Sequence, residues 1–289
     1  TRLLKLTGPV KLPSGETISA ETVLQDLLVD QYKEFSDDRD ARRERLGQVT
    51  QAAFDAINER PVSAGELMKV FRELGAGRHL MIWSSVPAQA DAWSALGTDG
   101  VPAEDSMMLS VLNRGGNKLD HYLDITSTVT VDNKSPVIDG SATDGSANGN
   151  QLTDNEEALR HVRIDVSLLN QTPSGLPPYI TGPYPSTDLA EGEYKGIVAL
   201  TMPKGAGDIT IMGGTPAALG NDGPTRVAAT EVRIPRGAET SVSFDFYLPR
   251  SWPTLEVLPG ARIPPTSWTT GSESWTDDTT HVLQLDAAD

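Results

Sequence analysis

The stretch Leu119-Asp120-His121-Tyr122-Leu123-Asp124-Ile125-Thr126-Ser127-Thr128-Val129-Thr130-Val131 decides the reading of the chain. Its odd positions Leu119, Leu123, Ile125, Val129 and Val131 are apolar, and its even positions Asp120, Asp124, Thr126, Thr128 and Thr130 are polar. Successive side chains of a strand point to opposite faces, so this period of two predicts a strand with one buried and one wet face. The same alternation recurs at Val162-Ile164-Val166-Leu168, Tyr194 to Met202, Val227 to Ile234 and Val242-Phe244-Phe246-Leu248. Turn residues separate these runs: Pro173-Ser174-Gly175, Pro203-Lys204-Gly205 and Pro235-Arg236-Gly237. Short alternating strands punctuated in this way predict an antiparallel, immunoglobulin-like β-sandwich over residues 113–289, interrupted by a long polar loop near 139–155.

Past Ser106 the period changes from 3.6 to 2, and before it the period is that of a helix. Ala20, Val23, Leu24, Leu27, Leu28, Tyr32 and Phe35 recur at spacings of three and four, with Ser19 placed as the cap. A second helix is expected from about Asp40 to Ile57, with Leu46, Val49, Ala53 and Ile57 on its inner side. A third opens at Ser63, where Ser63 and Glu66 have capping-box spacing, and stops at Gly75. His79-Leu80-Met81-Ile82-Trp83 reads as a short buried strand, and Pro87 to Leu96 as a last helix ended by Gly97. The expected fold class is α+β: a helix-rich α/β segment over 1–112, then the sandwich.

The chain has 289 residues, a formal charge of −16 and no cysteine. Disulfides, thiolate metal sites and cysteine nucleophiles are thereby excluded. The acidic balance disfavours nucleic acid and anionic membrane surfaces. No apolar run approaches the roughly 20 residues of a membrane-spanning helix. The sequence opens at Thr1 without an initiator Met or a signal-peptide pattern, and is read as a piece of a longer protein whose membrane anchor lies upstream.

Four segments together resemble the actinobacterial envelope family known as domain of unknown function 4012, in its C-terminal part. They are Leu6-Thr7-Gly8-Pro9-Val10-Lys11-Leu12-Pro13-Ser14-Gly15, Gly77-Arg78-His79-Leu80-Met81-Ile82-Trp83-Ser84, the run from Leu112 to Leu123 containing Asn113-Arg114-Gly115-Gly116-Asn117-Lys118, and Leu169-Asn170-Gln171-Thr172-Pro173-Ser174-Gly175-Leu176-Pro177-Pro178-Tyr179. The resemblance implies an anchored extracytoplasmic protein of the cell envelope and brings no activity with it. A fainter similarity links the first hundred residues to LytR-CpsA-Psr proteins, which transfer glycopolymers from polyprenyl-pyrophosphate carriers with arginines and magnesium. The Gly8-Pro9-Val10 turn, the helix after it and the run Asp38-Arg39-Asp40-Ala41-Arg42-Arg43-Glu44-Arg45 carry that similarity. The Arg-Gln pair usual after such a run is here Arg45-Leu46, and the earlier catalytic segment is missing, so catalysis is not carried over.

Two groups stand out as ligand-binding candidates. Arg39, Arg42, Arg43 and Arg45 could clamp a pyrophosphate through bidentate guanidinium contacts. They serve equally as a solvated helix start paired with Asp37, Asp38, Asp40 and Glu44, which is the preferred reading. Asn113, Asn117, Lys118 and Asp120 could face a ligand from a glycine-rich loop. The preferred alternative is a hairpin turn whose asparagines satisfy its own backbone, with Lys118 paired to Asp120. Asp139, Asp144, Asn148, Asn150, Asp154 and Glu156 offer oxygens to calcium without EF-hand spacing. His79, His121, His161 and His281 lack zinc spacing, although His121 and His161 fall in predicted strands that could meet. Thr1 as an amine-activated nucleophile lacks the sheet pattern such enzymes need. Trp252, Trp268 and Trp275, with Tyr179 and Tyr184, could form an aromatic platform for sugars or serve as core. No catalytic residue, metal or cofactor is expected. The expectation is a non-catalytic binding or scaffolding module for cell-wall glycopolymer or an envelope protein partner. A glycopolymer phosphotransferase fragment and a structural spacer are the alternatives.

Overall fold

The protein is described here from a computed structural model, which covers residues 1–132, 159–184 and 188–285. The expected polar loop at 139–155 and its oxygen ligands lie outside the described residues.

The helical part opens with α1 (Arg2–Thr7), followed by the short antiparallel pair β1 (Val10–Lys11) and β2 (Thr17–Ile18). The amphipathic run after Ala20 forms α2 (Val23–Gln25), a π-helical turn (Asp26–Asp30) and α3 (Gln31–Glu34). The helix therefore starts three residues later than expected, at the Thr22 cap, and Ser19 instead accepts from the Glu21 amide at 3.2 Å. Next come α4 (Arg39–Glu59), α5 (Ala64–Ala76) and α6 (Pro87–Ala95). The Asp38 carboxylate caps α4 by accepting from the Ala41 amide, and Ser63 and Glu66 form the expected capping box on α5.

Two details of this part differ from the period-based reading. The inner side of α4 runs along Arg42, Val49 and Ala56, whereas Leu46 faces out. His79-Leu80-Met81-Ile82-Trp83 has no strand partner; Ile82 bonds to the Thr98 carbonyl, and Trp83 is 84% exposed. An apolar run becomes a strand only where a neighbouring edge accepts its hydrogen bonds, and α5 and α6 offer none. Leu4, Val10, Leu12, Ile18, Val23 and Val49 pack into one small core.

The β part comprises β3 (Ser106–Asn113), β4 (Leu123–Asp132), β5 (Leu159–Asn170), a one-turn helix α7 (Pro178–Thr181), β6 (Tyr194–Pro203), β7 (Gly207–Met212), β8 (Thr215–Asp222), β9 (Thr225–Ile234), β10 (Glu239–Pro249), β11 (Thr254–Leu258), β12 (Ser267–Thr269), β13 (Ser274–Thr276) and β14 (His281–Gln284). They form two six-stranded sheets, ordered β13-β12-β4-β5-β10-β7 and β14-β11-β3-β6-β9-β8. Residues 106–112, which fall with the helical segment in the sequence reading, thus pack inside the second sheet as β3. Met107, Val198 and Leu200 of one sheet share a single core with Ile164, Phe244 and Trp268 of the other.

The class is α+β, as the periodicities require. The sheets are mixed rather than purely antiparallel, because β11 runs parallel to β3 and β12 parallel to β4. Both parallel contacts flank the strap 259–266, which carries the chain from one sheet to the other. Leu119 is buried, yet the strand begins only at Leu123, since Asp120–Tyr122 is a 3₁₀ turn.

Candidate functional site

The outer face of the first sheet is built from the polar half of each alternation. Its register aligns those residues across strands that are distant in sequence. Thr276, Ser267, Thr126, Ser167 and Ser241 stand directly opposite one another, giving a row of hydroxyls across β13, β12, β4, β5 and β10. The adjacent row reads Ser274, Thr269, Thr128, Asp165 and Ser243. A third carries Thr130, Arg163, Asp245 and Thr210. Strands lie about 4.8 Å apart and residues on one face repeat about every 6.8 Å, so the rows form a lattice of donors and acceptors. The Thr128 and Thr269 hydroxyls meet at 3.0 Å. Where β12 leaves β4, a groove of about 510 Å³ borders the rows, lined among others by Thr128, Thr130, Glu273 and Gln284.

A belt of charges crosses the middle of this lattice. Arg163 donates from Nε to both Asp165 oxygens at 3.0 Å and from Nη1 to Asp245 at 3.4 Å. Ser243 donates to Asp165 at 2.5 Å, and His161 Nε2 lies 2.9 Å from Asp245 and Nδ1 3.4 Å from Asp132. Partial burial works to raise the Asp165 carboxyl, but the bonds from Arg163 and Ser243 outweigh it and hold it low. Ser243 is engaged by Asp165 and Arg163, so no hydroxyl is activated by an imidazole in this belt. Its chemistry is hydrogen bonding.

The sequence-predicted arginines separate. Arg39 and Arg43 are exposed, whereas Arg42 is buried. Arg42 donates to the carbonyls of Phe35 and Ser36, and its guanidinium lies 4.0 Å from the centre of the Tyr179 ring. Arg45 closes a fork onto Glu16 at 2.6 and 2.7 Å and onto Asp26 at 2.6 Å, which lowers the Glu16 carboxyl through the hydrogen bond and the charge. Its partners come from β2's approach and the π turn, not from the helix's own acids. We expect Arg42→Ala to destabilise the protein by about 2 kcal/mol and Arg43→Ala to stay within about 0.5 kcal/mol, read as urea midpoints. Equal effects would refute the structural role assigned to Arg42.

The Asn113–Asp120 loop joins β3 to β4 across the two sheets, so it is a crossing connection and not a hairpin turn. Its asparagines do bond the loop to itself: Asn113 accepts from the Gly115 amide at 2.9 Å and donates to Asn117 Oδ1 at 3.0 Å and to Asp120 at 2.9 Å. Asn117 donates to the Glu193 carbonyl at 2.9 Å. Asp120 also accepts from the Tyr194 hydroxyl at 3.3 Å, and burial foremost pushes that phenol up. Lys118 is not paired with Asp120; its ammonium sits 5.8 Å over Tyr32. Tyr32 stacks on Tyr179 at 5.9 Å. Arg42 and Lys118, taken from two separate candidate groups, thus meet one aromatic pair where the helices join the sheets.

The proposed aromatic platform divides in two. Tyr179 and Tyr184 belong to that joint, at 6.5 Å edge to face. Trp268 is wholly buried, stacked 5.8 Å from Trp275, which in turn stacks 4.0 Å from His281. His121 lies in the 3₁₀ turn against Tyr122, and His161 in the charge belt, so they do not form a pair. Thr1 precedes a helix. Among the described residues no three metal-ligating side chains converge, and no helix is long and apolar enough to cross a membrane.

No family model and no curated protein matches the chain. Among solved structures, a protein of Legionella pneumophila subsp. pneumophila strain Philadelphia 1 named for nutrient binding is similar at 8% identity and a TM-score of 0.28, over 57% of this chain, and the chain spans 54% of that protein's length.

Proposed function

We propose that this chain is a non-catalytic, extracytoplasmic binding module of the cell envelope, an immunoglobulin-like scaffold whose outer sheet face holds a hydroxyl-rich glycopolymer. The observation that carries the reading is the unbroken row Thr276-Ser267-Thr126-Ser167-Ser241. A row of short, β-branched or small hydroxyl side chains loses little entropy on binding and can exchange hydrogen bonds with successive sugar hydroxyls. The envelope setting and an upstream anchor rest on the family resemblance, and a protein partner on the same face is the second form of the proposal.

The phosphotransferase alternative is less well supported. Of its four arginines, Arg42 and Arg45 are bound to protein groups, leaving Arg39 and Arg43 exposed one helical turn apart. A spacer would need no aligned polar face.

The test is retention of the chain in gels containing soluble neutral polysaccharide. Thr126→Val, Thr128→Val and Thr269→Val together keep shape and strand preference while removing the hydroxyls. The wild type should be retarded and the triple variant should lose about tenfold in affinity at an unchanged melting point. A wild type that migrates freely in every polymer would leave the spacer.

A further inference from the structure

We propose, resting on the binding-face reading above, that the glycan this face prefers carries free amines, so that the ligand is cationic as well as hydroxyl-rich. The lattice is not electrically neutral. Asp124, Asp132, Asp165, Asp245 and Glu239 project from it against Arg163 and His161. Three of those carboxylates are engaged by Arg163 or His161 within the belt.

Asp124 and Glu239 are different. Both stand opposite Leu169 in one row, on either side of it, and both are exposed. Asp124 accepts from Gln171 at 3.3 Å and Glu239 from the Ser167 hydroxyl; among the described residues neither forms an ion pair, although Arg262 lies within electrostatic reach of Asp124. The two carboxylates sit two strand spacings apart, about 10 Å, with an apolar side chain between them. Leu169 offers a surface for the apolar face of a sugar ring, Ser167 and Thr126 in the next row offer hydroxyls, and each carboxylate offers a charge-assisted bond to an ammonium. A polymer bearing phosphate or carboxylate meets repulsion both from this row and from the chain's −16 charge.

The experiment titrates the full chain by calorimetry at low salt with three size-matched probes: fully deacetylated chitosan oligosaccharide, dextran oligosaccharide and oligogalacturonate. Chitosan oligosaccharide should bind about tenfold more tightly than dextran, with the gap closing at high salt, and oligogalacturonate should not bind. Asp124→Asn with Glu239→Gln should bring chitosan affinity down to that of dextran. Asp91→Asn with Asp105→Asn removes the same charge elsewhere and should keep the preference. Equal affinity for chitosan and dextran, tightest binding of oligogalacturonate, or loss of the preference in the Asp91/Asp105 variant would each overturn the amine proposal while the hydroxyl face stands. Binding of none of the three would overturn both.

Discussion

Gly213→Ala and Gly214→Ala are each expected to lower the melting temperature by about 5 °C, the loss of roughly 3 kcal/mol in a chain of this size. These two glycines form the corner at which the chain leaves β7 in one sheet and enters β8 in the other. Both have positive φ, 86° and 69°. An alanine there adopts a left-handed backbone, which costs about 1 kcal/mol or more. Space is the larger obstacle. A Cβ on Gly213 would lie 2.4 Å from the Ser241 carbonyl oxygen, and one on Gly214 would lie 2.5 Å from the Glu231 carbonyl oxygen and the Thr230 hydroxyl. The two carbonyl oxygens are backbone atoms of β10 and β9, held in their ladders, so relief requires that a strand move. Forcing such a shift in a packed sheet costs about 1–3 kcal/mol more. The corner is also tied by the Thr230 hydroxyl, which donates to the Gly213 carbonyl at 3.0 Å. Gly220→Ala in β8 supplies the control, because a Cβ there meets nothing within 4 Å and the residue lacks a positive φ. That variant should unfold within about 1 °C of the wild type. If the corner variants match it, the sheets are not held together at Gly213-Gly214.

This corner also marks where the sequence stops being informative. The alternation in β4, β5 and β10 is plain, because each buries one face on a common core and the period of two survives nearly uninterrupted, whereas β6 and β9 bury consecutive residues over part of their length. β8 is obscure by the same criterion. Every residue of β8 is exposed, so burial writes no pattern on it. β12 and β13 are three residues each, shorter than any period can announce. His79 to Trp83 fails in the opposite direction: its apolar run satisfies the pattern of a buried strand, but hydrogen-bonding partners decide strands, and those are long-range.

The candidate site follows the same division. That Thr126, Thr128 and Thr130 share a wet face is legible from residues 123–131 alone. That Ser167, Ser241 and Ser267 stand in line with Thr126 depends on which strands are neighbours and in what register, and no local signal encodes either. Individual residues with conspicuous chemistry are ambiguous in the sequence for a related reason. Arg42, Arg45, Asn113, Asn117 and Asp120 look like binding groups because they are polar and clustered in sequence. Their partners, Glu16, Asp26, Tyr179, Glu193 and Tyr194, lie elsewhere in the chain, and only those partners show that the groups are internal braces.

The second large effect concerns Asp277, whose replacement by asparagine is expected to stabilise the protein by about 2–3 kcal/mol at pH 8. The carboxylate is buried where the strap 259–266 passes between the sheets, and one oxygen accepts from the Gly260 amide at 2.9 Å. Burial pushes its pKa up to about 6, and the neighbouring Asp278 adds to that, while the Gly260 amide and Arg262 work against it. The Arg262 side chain is committed to other acceptors, the carbonyls of Asp120, Leu123 and Pro264. The folded state therefore holds a proton on Asp277 more tightly than the unfolded chain does. Above about pH 6 both states are ionised and the fold bears the full cost of the buried charge. As pH falls from 6 towards 4, only the folded state is protonated, so that cost is relieved. Asparagine resembles the protonated acid, keeps an oxygen for Gly260 and carries no charge at any pH. The gap between Asp277→Asn and wild type should be widest at pH 7–8, shrink through pH 6 and close below pH 4, measured as urea unfolding free energies at each pH. A gap that does not change with pH would mean that Asp277 is uncharged or solvated in the fold, and a less stable variant at pH 8 would mean that the carboxylate's charge holds the strap in place.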